Sequence, residues 1–218
     1  MLRKERVERT LNHQTPDSLA VDFGSTATTG VHAMCVGALR EHYGLENRPV
    51  KVCEPYQMLG EMEEDLLDAI GVDTVAMPSP STLFGFRNED WKVFEAPWGQ
   101  ELLVSEHFNF TRDANGGLLL YPQGDLNAPP SGRMPVGGFF FDTIVRQEPI
   151  DDNHLDPENN LEEFRTLKES DLDHYASQAK HLGASTRAVV GGIGGTAFGD
   201  IAMVPAPFLK HPKGIRDI

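Results

Sequence analysis

Cysteine is nearly missing from this chain: two residues, Cys35 and Cys53, in 218. That is too few for a disulfide framework, and neither sits in a CxxC or His-x-Cys pairing, so no metal or redox motif arises from them. The expectation is that both are small buried apolar residues. Long apolar runs are also missing. No stretch approaches the ~18 consecutive apolar residues that a membrane-spanning helix needs. Cations are scarce, with 19 Lys and Arg against 33 Asp and Glu and a formal net charge of −14. Phosphate backbones and anionic lipid surfaces are bound by clustered Lys and Arg, so nucleic acid and membrane are excluded as partners. The N-terminus, Met1-Leu2-Arg3-Lys4-Glu5-Arg6, has no apolar segment to act as a signal peptide, which predicts a cytoplasmic protein. There is no internal repeat, no low-complexity tract and no nucleophile elbow or Ser-His-Asp order.

What remains is an ordinary globular composition, 39% hydrophobic and 24% charged. A helix is predicted over roughly residues 2–13, closed by the turn signal Thr15-Pro16-Asp17. Leu19-Ala20-Val21 reads as a short buried strand ending at Asp22-Phe23-Gly24. A helix over about 29–43 follows, with Gly44 placed to end it. Leu59, Met62, Leu66 and Ile70 recur at i+3/i+4 spacing, which predicts a helix running from Pro55 to Gly71. Thr74-Val75-Ala76-Met77 is then a strand bounded by Pro78. From about 83 to 150 the pattern changes to short strands separated by turn signals such as Pro97-Trp98-Gly99 and Asn115-Gly116, an antiparallel β insertion. The acidic segment 151–163 reads as an exposed loop. A helix over about 169–182 leads to a buried strand, Arg187-Ala188-Val189-Val190-Gly191.

Strand and helix alternate outside the insertion, which predicts an α/β fold with a parallel sheet, either doubly wound or a (β/α)₈ barrel of the TIM type. A barrel takes about 30 residues per unit, so the ~150 residues outside the insertion supply four or five of eight units. The final residues, Pro212-Lys213-Gly214-Ile215-Arg216-Asp217-Ile218, read as an opening helical turn without a cap. The expectation is therefore an incomplete barrel, its N-terminal half.

In a barrel the C-terminal strand ends carry the site. Asp22 ends the first strand, and Phe23, Ser25 and Thr26 follow it in the loop that lines the mouth. The plainer reading of Asp22 is a strand-end turn carboxylate. His32, in the next helix, is within reach of the same mouth. Gly192-Ile193-Gly194-Gly195-Thr196-Ala197 follows the last strand and fits G-x-G-x-x-A, with Asp200 just beyond. Gly194 and Thr196 become ligand-facing there, either at a mouth or, as an alternative, under a dinucleotide pyrophosphate. The plainer alternative is a turn where backbones approach closely. His174 and His181 stand seven apart, a solvated helix face rather than a metal pair.

Three segments carry a resemblance. Arg6-Val7-Glu8-Arg9-Thr10-Leu11-Asn12-His13-Gln14-Thr15-Pro16-Asp17-Ser18-Leu19-Ala20-Val21 resembles the opening helix and first strand of the uroporphyrinogen decarboxylase superfamily. Ala69-Ile70-Gly71-Val72-Asp73-Thr74-Val75 resembles its second strand, and Val189-Val190-Gly191-Gly192-Ile193-Gly194-Gly195-Thr196-Ala197-Phe198 its later glycine strand. The resemblance implies a (β/α)₈ barrel and gives Asp73 a place among catalytic candidates beside Asp22 and Asp200. It departs from the decarboxylases in two places. The arginine-rich motif after the first strand is replaced by Asp22-Phe23-Gly24-Ser25-Thr26-Ala27-Thr28-Thr29-Gly30, and the family tyrosine falls near Ala202. A polycarboxylate tetrapyrrole needs guanidinium forks. The pattern is therefore closer to the corrinoid-dependent methyltransferase branch. That branch implies a corrinoid carried on a partner protein and a zinc ion holding the acceptor thiolate, its His-x-Cys and Cys ligands falling beyond residue 218. Genuine tetrapyrrole decarboxylation and a nucleotide-binding domain using residues 192–197 are the alternatives. A non-catalytic fragment would expose strand edges and pair as a homodimer.

Overall fold

The computed structural model describes residues 1–149, 151–162, 167–192 and 206–214. Gly194, Thr196 and Asp200, with most of the 192–197 glycine turn, lie outside the described residues. The chain is a mixed α/β protein with four α-helices and three sheets among the described residues, and no closed barrel is formed by them.

The N-terminal helix, α1 (Arg3–Leu11), is held at its start by Glu5, whose carboxylate accepts the Leu2 N–H at 2.9 Å. The second helix, α2 (Ala33–His42), starts at His32, whose ring nitrogen accepts the Met34 N–H, and ends before Gly44 at φ +66°. Strand β1 (Val50–Glu54) was not foreseen, and it overturns part of the helix predicted after Pro55. Leu59 and Gly60 form β2 (Leu59–Gly60), antiparallel to β1, and helix α3 (Glu64–Ile70) is confined to the last part of that segment. The i+3/i+4 spacing misleads because Leu59 is buried in a strand, after a turn at Met58 with φ +51°, rather than on a helical stripe. Gly60 shows why a strand fits. A Cβ there would lie 2.7 to 3.0 Å from Val50, Val36 and the Ala33 backbone, so only glycine lets this strand cross α2 so closely.

Strand β3 (Thr74–Met77) pairs in parallel with β10 (Ala188–Gly191), Thr74 opposite Ala188 and Met77 opposite Gly191. Helix α4 (Glu169–Leu182), at its predicted place, precedes β10 and packs on β3, while α1 packs on both strands. Residues 19–21 are not a ladder strand, and Leu19 is 86% exposed rather than buried. Even so, Val21 runs beside the start of β3, its carbonyl accepting the Asp73 N–H at 2.8 Å. The expectation that β10 is buried also fails, since Val189 is 40% exposed.

The insertion holds strands β4 (Lys92–Glu95), β5 (Glu101–Val104), β6 (Phe110–Arg112), β7 (Leu118–Leu120), β8 (Gly132–Met134) and β9 (Asp142–Thr143). One sheet has the order β2-β1-β5-β4, with β1 parallel to β5, and the other is the antiparallel β6-β7-β8-β9. The predicted Asn115-Gly116 turn joins β6 to β7. Gly116 takes φ +87°, and Asp113 accepts the Asn115 and Gly117 N–H groups and the Arg133 guanidinium. The main apolar core lies here. Phe84, Phe108, Phe141, Leu102, Leu118, Leu120 and Met134 are fully buried with Met58, Val36 and Leu66, and the cluster takes no residue from β3, β10, α1 or α4. The insertion is thus the packed centre of the described chain, and the parallel strands β3 and β10 pack instead with α1 and α4.

Candidate functional site

The loop after Val21 folds back on itself. Gly24 donates to the Thr29 carbonyl at 2.8 Å and Gly30 to the Ala27 carbonyl at 3.2 Å. Gly24 holds φ +83° hard against Met62, where a Cβ would come within 2.5 Å of the Met62 side chain. This geometry turns Asp22 toward β3, where its carboxylate accepts the Thr74 hydroxyl at 2.7 Å. Burial alone would push the Asp22 carboxyl up. Hydrogen bonding from the hydroxyls of Thr74 and Thr29 and from the Ser25 N–H, with the Ser25 hydroxyl facing it, outweighs burial and holds it below the ordinary value. The Ser25 hydroxyl is buried beside that carboxylate. Among the described residues no Lys, Arg or His makes an ion pair with Asp22. Phe23 is 45% exposed and Thr26 is exposed, so both project from the loop around a partly buried carboxylate.

Asp73 is placed differently. It is fully buried, one oxygen accepting Arg6 Nη1 at 2.5 Å and the other the Val21 N–H at 2.9 Å. Its own carbonyl accepts the Ala188 N–H at 2.9 Å. Both carboxylate oxygens are engaged in fastening α1, residue 21 and β3 together. The structure therefore brings Asp22 and Ser25 together and sets Asp73 apart as a joint. His32 is set apart too. Its Nδ1 accepts the Met34 N–H, which puts the proton on Nε2, and Nε2 donates to the Phe139 carbonyl at 2.8 Å. The ring packs at a tilt against Trp98 and edge-on to Phe139, with centroids 5.1 and 6.3 Å away. It caps a helix and closes an aromatic cluster.

Near the C-terminal ends of the parallel strands, helix α4 contributes two polar groups. The His174 ring bonds the Pro78 carbonyl at 2.9 Å, so it is anchored rather than purely solvated, and the Tyr175 hydroxyl donates to the Gly192 carbonyl at 3.2 Å. Cys35 and Cys53 are exposed, against the expectation of burial: neither packs into the core that Val36 and Val52 enter beside them.

Three charged groups had no sequence signal. Arg40 is buried in α2 and donates to the carboxylates of Glu63 and Asp65 and to the Glu46 carbonyl. Arg187 is buried before β10 and donates to the Val72 carbonyl, Glu64 and Asp68. Glu54 ends β1, and its two oxygens accept the Tyr56 and Leu83 N–H groups at 3.1 and 3.0 Å. The residue is partly exposed but its carboxyl end is enclosed, and burial pushes that carboxyl up to about 7 despite the two N–H donors. The carboxylate partners of Arg40 and Arg187 stand 23 to 123 positions away and are invisible to local pattern.

Among the described residues no three His, Cys, Asp or Glu side chains converge as a metal ion would need. No described helix is long and apolar enough to cross a membrane. No protein-family model matches the chain, no curated protein matches its sequence, and no solved structure matches its fold.

Proposed function

We propose that the chain is the first part of a (β/α)₈-barrel enzyme resembling the corrinoid-dependent methyltransferase branch of the uroporphyrinogen decarboxylase superfamily, with its mouth beside Asp22. Residues 19–22, β3 and β10 lie side by side in the order in which they occur along the chain, which supports the barrel, since barrel strands neighbour one another in chain order. The surroundings of Asp22 carry the choice of branch. The carboxylate there is held ionised by hydrogen bonds and, among the described residues, has no cation paired with it. A polycarboxylate tetrapyrrole would be repelled by that site. A corrinoid is edged by carboxamides, whose N–H groups an ionised carboxylate accepts. The chain's own residues bind and orient the ligand at that edge: Asp22 as acceptor, Thr74 and the 22–30 loop fixing it, Phe23 and Thr26 supplying exposed contact. The described residues do not fit the zinc that the resemblance implies, whose ligands it assigns beyond residue 218.

Equilibrium dialysis of the chain with methylcobalamin and, separately, with uroporphyrin III tests this reading. Retention of methylcobalamin with little retention of uroporphyrin is the expected result. Preference for uroporphyrin, or retention of neither, overturns it.

A further inference from the structure

Strand β4 is an edge of one sheet of the insertion and β6 an edge of the other. The ladder pattern shows which residues face outward there. The Ala96 N–H donates to the Gln100 carbonyl, so Phe94 and Lys92 bond to β5, and the backbone groups of Val93 and Glu95 point away from it. The Asp113 N–H donates to the Gly117 carbonyl, so Thr111 bonds to β7, and the backbone groups of Phe110 and Arg112 point outward. These four outward residues line a single groove of about 550 Å³, with the buried Phe94 and Ala96 among its walls. Phe94 and Phe110 also meet edge to face, their centroids 5.4 Å apart.

Among the described residues nothing else bonds the outward N–H and C=O groups of Val93 and Glu95. An extended backbone matches such a row of donors and acceptors. Natural edges are usually guarded by an outward lysine, a proline or a bulge. Here Val93 stands 62% exposed, and Lys92 is folded back onto the Glu106 carbonyl and Asn109. The charge on the open face says which backbone fits. Glu95 lies directly opposite Glu101 in a non-hydrogen-bonded pair, the closest kind of cross-strand neighbour. Both are exposed, and among the described residues neither makes an ion pair. Like charges so placed weaken a sheet. A strand added to β4 sets one side chain beside Glu95 on the same face, where Lys or Arg relieves the repulsion. We propose that the groove between β4 and β6 receives an extended basic segment of a partner protein. The segment pairs along β4, with Lys or Arg beside Glu95 and alternate apolar side chains toward Phe94 and Phe110. This surface is independent of the reading of the mouth at Asp22.

The test is calorimetric titration of the whole chain with a short peptide of alternating Lys and Val. Saturable binding is expected, roughly tenfold tighter than that of the Glu and Val counterpart. N-methylation of the Lys peptide at alternate residues removes donors from one side and is expected to weaken it by roughly tenfold or more. Val93→Pro removes an N–H that the ladder to β5 does not use, and is expected to abolish binding with the circular dichroism spectrum unchanged. Glu95→Gln is expected to weaken binding roughly threefold to fivefold. Should Val93→Pro fail to fold, the N-methylated peptide decides. No binding, equal Kd values for the Lys and Glu peptides, or tolerance of N-methylation overturns the site. A concentration-dependent dimer in sedimentation that Val93→Pro abolishes also overturns it, since a second copy then covers the edge.

Discussion

Protonation of Glu54 stabilises the fold over a window that few other groups share. The carboxyl titrates near its ordinary 4.5 in the unfolded chain and at about 7 in the folded one. A raised acid pKa means that the folded state holds the proton more tightly. The stability from Glu54 is then full below about 4.5 and declines as pH rises toward about 7. A shift of that size corresponds to about 3 kcal/mol between the two limits, at about 1.4 kcal/mol per pH unit. The counteracting carboxylates lie elsewhere on the scale. Asp65, held by Arg40, and Asp125, held by Lys210, titrate at about 2, so their stabilisation is lost only under stronger acid. Glu54→Gln removes the titration. The amide keeps one acceptor for the Tyr56 or Leu83 N–H and turns an NH₂ toward the other, a pH-independent cost of about 1–3 kcal/mol. The informative quantity is therefore the pH dependence of the difference between the two proteins. Urea denaturation of both at pH 4.5, 6 and 8 is expected to show the variant gaining about 3 kcal/mol on the wild type across that range. A difference that stays flat with pH would show that water reaches the carboxyl and that the enclosure at Glu54 is not real.

Two further outcomes follow from the packing. Arg40→Ala leaves Glu63 and Asp65 without their buried partner and is expected to cost about 3–5 kcal/mol in urea denaturation; a loss under 1 kcal/mol would mean that Arg48, also bonded to both carboxylates, takes over the site. Native-state hydrogen exchange is expected to be fastest, within the ladders, in β3 and β10 and slowest in β5 and β7, because the apolar core lies with the latter; the reverse order would contradict that placement of the core.

The parts of the fold legible in the sequence are those specified by neighbours in the chain. Helix α4 was read to its residues, Gly44 and Gly116 carry the left-handed turns their positions required, and the insertion's strands stand between the predicted turns. The failures lie where partners are distant. Val50–Glu54 pairs with Leu102 and Leu103, about fifty residues on, and its Val50-Lys51-Val52 alternation is too short to mark a strand without that partner. Leu59 and Gly60 mimic one turn of a helical stripe until Val36 and Ala33 are seen against them. The candidate site divides in the same way. Asp22 and Ser25 share one loop, and sequence alone placed them together. Sequence could not show that Asp73 is occupied by Arg6, sixty-seven residues away, or that His32 caps α2.

The fastening at Asp73 bears on the order in which the chain assembles. Val21 reaches Asp73 across 52 positions, and Arg187 reaches the Val72 carbonyl across 115. Closing loops of that length is slow compared with zipping up neighbouring hairpins, and the longer loop contains the whole insertion. The hairpins of the insertion and their phenylalanines therefore condense first. Only then are the two ends of the described chain brought close enough for β10 to find β3. The parallel pairing of β3 with β10 is consequently a late product of folding, built on a core that is complete before it.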